Sequence, residues 1–167
     1  MKVILLMAVT ADGRIARNSM ELIDWTGKGD KQYFVRLTRK AGAMIMGSKT
    51  FDTIGKVLPG RLNIVITRDT TRISQKKELI FTHQTPEQIL NDLHAQGFDS
   101  VALIGGSVVN TLFMKKNLID EIHLTIVPRL FGKGLSLFNE ILDTQLELMD
   151  IDKIDQGHVL LKYRVKK

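Results

Sequence analysis

Two glycine-bearing stretches, "IMGSKT" at Ile45–Thr50 and "LIGGSVV" at Leu103–Val109, each begin in an apolar run and lead into polar residues. At such a strand-to-helix turn in an open α/β sheet, unpaired backbone N–H groups attract phosphate. Neither stretch is a P-loop or a GxGxxG fingerprint, so glycine serving only a tight turn fits the pattern as well. Lys49, Thr50, Thr67 and Arg68 add to it. They fall at the ends of two successive apolar runs, where two cations and two hydroxyls would converge on one edge as a cradle for a phosphate monoester. A solvated Lys and Arg at strand ends is the plainer alternative.

Asp30 is the candidate acid. It opens an amphipathic segment in which Phe34, Leu37 and Ala41 mark one face, so its carboxylate could simply cap a helix and complement the dipole. Trp25 lies five residues earlier, across the glycine-rich "TGKG", and an aromatic beside an acid can line a pocket that partly desolvates it. His83, His94, His123 and His158 are scattered, with no two at metal-ligand spacing, and read as surface or satisfied strand residues. No metal site is expected. The absence of cysteine excludes disulfides, thiolate metal sites and a Cys nucleophile, and fits a reducing cytoplasm.

The elements that must position these residues follow from the apolar runs. Strands are expected at Val3–Val9, Ala43–Met46, Asn63–Thr67, Leu79–Phe81, Ser100–Ile104 and Glu121–Val127. Helical segments lie between several of them, at about Asp30–Lys40, Pro86–Gln96 and Ser107–Lys116, with Thr85 as N-cap before Pro86. Continuous apolar strands alternating with helices imply a largely parallel sheet covered on both faces. From Gln145 to Val165 two runs flank Asp155-Gln156-Gly157, which reads as an antiparallel hairpin closing one sheet edge. Between two of the strands, a stretch holding Gly47, Ser48, Lys49, Thr50, Pro59, Gly60 and Arg61 reads as a loop.

A chain of 167 residues suits one α/β domain with a single core. The net charge of +6 points to anionic partners. The basic residues are dispersed rather than arranged as a stripe tracking a nucleic-acid backbone, so phosphorylated small molecules are favoured. The apolar start "MKVILLMAV" is too short to span a bilayer and reads as a buried first strand, so no membrane association is expected.

Taken together, "AVTADGRIA", "MGSKTFDTIGKVLPGRLNIVITR", "LIGGSVV", "IHLTIV" and the Trp25-x₄-Asp30-x₃-Phe34 spacing resemble dihydrofolate reductase and its relatives over most of the chain up to about Thr125. The resemblance implies a single dihydrofolate reductase-like domain, a mostly parallel mixed sheet flanked by helices with a C-terminal antiparallel hairpin. It also implies an NADPH-dependent reductase that transfers hydride to 7,8-dihydrofolate. Carried over to this chain, Gly47, Ser48, Lys49, Thr50, Thr67 and Arg68 would face the phosphates and 2′-phosphoadenosine end of NADPH. Ile104, Gly105, Gly106, Ser107 and Val108 would meet its pyrophosphate and nicotinamide half, with Ala8 and Ile15 against the nicotinamide and its ribose. Asp30, supported by Thr125, would hydrogen-bond the pterin and assist protonation. Leu6, Trp25, Lys31, Phe34, Ile54 and Leu58 would line the substrate site, and Arg61 would grip the substrate's glutamate carboxylate.

Four positions depart from the family's pattern. Ser48 stands in place of a phosphate-binding arginine, Phe51 of tryptophan, Lys31 of an apolar residue beside the pterin, and Asn110 of the tyrosine near the nicotinamide. A second branch of the same fold competes. "TADGRIA" and "LIDEIHLTIVPRLFGKGLSLF" resemble the reductase domain of riboflavin biosynthesis, which reduces a ribosylaminopyrimidine phosphate, and Lys28 or Lys31 would suit that phosphate. The segment after Thr125 raises the expectation of a homodimer. A non-catalytic nucleotide- or nucleic-acid-binding domain on this fold is the remaining class.

Overall fold

The computed structural model describes residues 1–167. The chain runs β1 Lys2–Thr10, β2 Arg14–Ala16, α1 Gly27–Ala41, β3 Ala43–Gly47, α2 Ser48–Ile54, β4 Leu62–Ile66 and β5 Leu79–Thr82. It continues with α3 Pro86–Ala95, β6 Ser100–Leu103, α4 Ser107–Lys115, β7 Glu121–Val127, β8 Leu135–Ser136, β9 Leu146–Asp155 and β10 His158–Val165. Eight strands form one sheet in the order β5-β4-β3-β6-β1-β7-β10-β9, and β2 pairs with β8 apart from it. Strands β5 to β7 of that order are mutually parallel, whereas β10 runs antiparallel to both β7 and β9. This is the expected α/β architecture with its antiparallel ending.

The parallel strands are mostly apolar because both faces are covered. One face joins Val3, Leu5, Ile45, Leu103 and Phe113 in a core beneath α3 and α4. The other joins Leu6, Met44, Met46, Ile104 and Leu160 with Tyr33 of α1. Fully burying a side chain of this size contributes about 1.5–3 kcal/mol, so these layers dominate the stability. Thr85 caps α3 as expected, in a reciprocal capping box with Gln88.

Two expectations need correction. The segment from Ser48 to Ile54 is a helix, α2, rather than the opening of a loop. Two turns of helix are too short for an apolar period to register. Helix α1 begins at Gly27, three residues before Asp30, with Thr26 at the N-cap making no side-chain cap bond. Asp155, in the β9–β10 hairpin, supplies the missing acceptor by taking the Gly29 N–H at 3.0 Å. Asp30 therefore stands inside the first turn and does not cap the helix.

Candidate active site

Because β3, β4, β6, β1 and β7 are parallel, their carboxyl ends share one edge of the sheet. The two glycine turns meet there. The Gly47 N–H donates to the Gly105 carbonyl at 2.8 Å. A Cβ on Gly47 would come within 3.1 Å of Val109 Cγ2, and one on Gly106 within 3.5 Å of Thr50 Oγ1. Gly105 adopts φ +94, with Met7 Sδ 3.0 Å from where a Cβ would stand. Gly105 is thus favoured by its positive φ and Gly47 by tight packing against Val109, whereas a Cβ at Gly106 would make only ordinary contact. Gly106 is the N-cap of α4 and offers no side chain to its first amides, so Ser107 and the exposed Val108 begin a helix whose leading N–H groups have no side-chain cap.

Lys49 lies in the first turn of α2, and Arg68 follows β4 beside the buried Thr67; both cations are exposed and neither has a carboxylate partner. The nearby Arg72 is different, bound through both terminal nitrogens to Asp52 at 2.7 and 2.8 Å. Half-buried Ser48 and Thr50, exposed Lys49 and an uncapped helix start thus lie at the glycine junction, and Arg68 follows the end of the neighbouring strand β4, whose Ile66 pairs with Gly47. Ile104 is buried beneath it, and Ile15 is buried in β2. Asn110, the departure in α4, donates to the Leu137 carbonyl at 2.9 Å and ties that segment down.

On the opposite flank, Leu6, Phe34, Ile54 and Leu58 all pack in or against the cluster under α1, so the structure brings this apolar set together. Asp30 sits one helical turn before Phe34, half-buried. Ala8 and Thr125 are cross-strand partners of β1 and β7. The Thr125 hydroxyl is fully buried and makes no hydrogen bond, so the expected support of Asp30 is not made. Lys31 lies outside the cluster, exposed on a groove of α1 that also holds Lys28, Arg36 and Arg39. Trp25 is buried with its indole N–H unpartnered, edge-on to Phe131 at 5.0 Å.

Arg61 is only 5 % exposed, yet its one bond runs from Nη1 to the Pro59 carbonyl at 2.8 Å, and Nε has no partner. Burial pulls its pKa below the ordinary arginine value, and the like charge of Arg39 adds to the effect. A buried guanidinium without a carboxylate is costly, and an incoming anion would relieve it. Asn63 shapes the loop that presents it: its side chain accepts from Leu58 N and donates to the Leu58 and Arg61 carbonyls, at 2.8–2.9 Å. Sequence reasoning passed over Asn63, although a lone amide inside an apolar strand was the available signal.

A second omission is Asp12. Its carboxylate accepts from the Thr10 hydroxyl, from Phe131 N at 3.1 Å and from Gly132 N at 2.6 Å, joining the β1–β2 turn to the loop after β7. The Thr10 bond, followed by the two amides and against some desolvation, holds its pKa down at about 2. Beneath the sheet, Tyr33 Oη lies 2.7 Å from His123 Nδ1, and His123 Nε2 lies 3.2 Å from Glu121. His123 is thus the satisfied strand histidine expected.

A parallel sheet with paired glycine turns at its carboxyl edge defines an α/β domain of the open-sheet kind, in which ligands bind beyond that edge. The sequence profile described as the RibD C-terminal domain matches residues 1–160. The chain belongs to this family, within the dihydrofolate reductase-like superfamily. A Caenorhabditis elegans protein provisionally named as a dihydrofolate reductase is 32% identical over 168 residues, covering 93% of this chain and 82% of its own. The dihydrofolate reductase of Lactococcus lactis is 32% identical over 120 residues, 71% of this chain and 68% of its own. The solved structure of a Thermotoga maritima diaminohydroxyphosphoribosylaminopyrimidine deaminase/5-amino-6-(5-phosphoribosylamino)uracil reductase superposes with a TM-score of 0.81 at 18% identity, covering 99% of this chain and 56% of that one. Reductases therefore stand on both sides of the comparison and support an oxidoreductase. No helix is long and apolar enough to cross a membrane.

Proposed function

We propose that the chain is an NADPH-dependent reductase of 7,8-dihydrofolate. The observation that carries the choice of substrate is Arg61, a buried guanidinium with no carboxylate of its own chain to meet it. A substrate bearing a carboxylate supplies that partner in bidentate form. The cofactor fits the residues present: the α4 start offers free N–H groups beside the Gly47–Gly105 bond, and Lys49 and Arg68 are unpaired cations for a 2′-phosphate. When bound, NADPH supplies the hydride. Asp30 anchors the reacting ring electrostatically and favours protonation of its imine nitrogen through a water, while Leu6, Phe34, Ile54 and Leu58 exclude solvent from one side.

A second reading has its own support. The family match over residues 1–160 and the cation-lined groove of Lys28, Lys31, Arg36 and Arg39 favour reduction of a ribosylaminopyrimidine phosphate. The exposed Leu146, Leu148 and Ile151 on the free edge strand β9 support a homodimer as part of either reading. NADPH oxidation followed by absorbance, with dihydrofolate and the pyrimidine phosphate offered separately, decides between the substrates. Turnover of dihydrofolate alone is the expected result. Tight NADPH binding with turnover of neither would favour a non-catalytic nucleotide-binding domain.

A further inference from the structure

We propose that Asp12 is a positioning residue for the substrate side of this site, clamping the β7–β8 loop so that Phe131 is held against Trp25. The importance given to Trp25 rests on the reductase reading above. Asp12 and Phe131 are 119 residues apart, and Asp12 is the acceptor for the amides of both Phe131 and Gly132. Thr10 completes the arrangement by donating its hydroxyl to Asp12 while accepting the Arg14 N–H at 2.9 Å. The Ala11 N–H donates to the Arg129 carbonyl at 2.8 Å, so backbone and side chain join the same two segments.

The clamped loop carries Phe131 into two contacts. Its ring meets Trp25 edge-to-face, 5.0 Å between centroids and 73° between planes, and lies 4.1 Å from the Arg17 guanidinium. Trp25 immediately precedes Thr26, the N-cap of α1, the helix that carries Asp30 and Phe34. The start of α1 therefore has two long-range tethers: Asp155 on the Gly29 amide, and Phe131 on Trp25. Only the second depends on Asp12. An asparagine at position 12 would keep the shape but remove the charge that strengthens the bonds to both loop amides, and with one carboxylate oxygen replaced by an N–H donor, Phe131 N–H would lose one of its two acceptors or both amides would lose theirs.

Trp25 is the only tryptophan, so the free protein's fluorescence reads this contact directly. Asp12→Asn is expected to red-shift the emission and raise acrylamide quenching by about twofold, with the KM for dihydrofolate up about tenfold and kcat within about threefold. Phe131→Leu, which leaves the Asp12 bonds in place, should give the same split, and the double variant should be no worse than either single one. Thr10→Val removes one bond to Asp12 and is the milder second variant, shifting emission the same way. Unchanged Trp25 emission and quenching in folded Asp12→Asn, or additive losses in the double variant, would overturn the proposal. Lack of dihydrofolate turnover by the wild-type protein would count against the substrate reading alone, while the fluorescence measurements still decide the clamp.

Discussion

The two flanks of the sheet's carboxyl edge are built from different materials. On the glycine side the groups that could meet a ligand are the main-chain amides at the uncapped start of α4, next to the Gly47–Gly105 bond, with exposed, unpaired Lys49 and Arg68 on the same sheet edge. On the α1 side they are side chains: half-buried Asp30 and buried Arg61, whose Nε has no partner. Backbone amides bind any phosphate that fits, whereas side chains fixed by burial select a particular substrate shape. On the proposed reading, one flank would set the cofactor class and the other the reaction partner.

The largest test of this division is Asp30→Asn, which keeps the shape and removes the charge. Single-turnover hydride transfer should slow by roughly 10²–10⁴-fold, the usual range for a positioned acid–base group, while NADPH affinity stays nearly constant. Loss of both together would mean that the flanks are not separable. Near-normal transfer would leave Asp30 as an ordinary first-turn helix residue.

The converse test comes from the glycine side. Arg68→Ala should weaken NADPH by about 1.5–3 kcal/mol, the worth of a hydrogen bond to a charged group, and leave NADH almost unchanged. Equal losses in calorimetric titrations with the two cofactors would show that Arg68 does not read the 2′-phosphate. A smaller effect is expected from Arg61→Lys, which retains charge but not the fork. The KM for dihydrofolate should rise about tenfold with kcat little altered. An unchanged KM moves the assignment to the pyrimidine phosphate.

How far each flank could be read in the sequence follows from the same contrast. The parallel strands were legible because Leu5, Ile45 and Leu103 sit between two covered faces and leave uninterrupted apolar runs. The glycine turns were legible because they are contiguous. Helix α2 was not, being seven residues long, nor was the β2–β8 pair, of three and two residues. That pair is made by contacts with no local signal, such as Gly134, where a Cβ would collide with the Ala16 carbonyl. The Asp155 cap on α1 and the Asp12 clamp join residues 126 and 119 positions apart, distances at which no periodicity carries information. Side-chain partnerships of this range arise only once the sheet has brought its strands together.

The Tyr33–His123–Glu121 chain is a third such partnership, and it yields the smallest expected effect. It lies on the α1 face, where Leu6 pairs with His123 and Ala8 with Thr125, so it supports the side-chain flank from below. Burial pulls the His123 pKa below 6.5, outweighing the opposite pull of Glu121; Lys162 and Lys2 add to the lowering. The neutral ring satisfies both neighbours, accepting from the Tyr33 hydroxyl at Nδ1 and donating to Glu121 from Nε2. A folded-state pKa below the unfolded value contributes stability that is present above the unfolded pKa and lost as pH falls toward the folded one. Thermal melts should accordingly show a decline in stability as pH drops below about 6.5, the ordinary histidine value, beyond that of a His123→Gln variant. The variant should be less stable at pH 8 yet show a flatter profile through this window. Parallel profiles for the two proteins would mean that the His123 pKa does not differ between the folded and unfolded states, and a gain in stability as pH falls would mean that His123 is protonated in the native state and donates from both ring nitrogens.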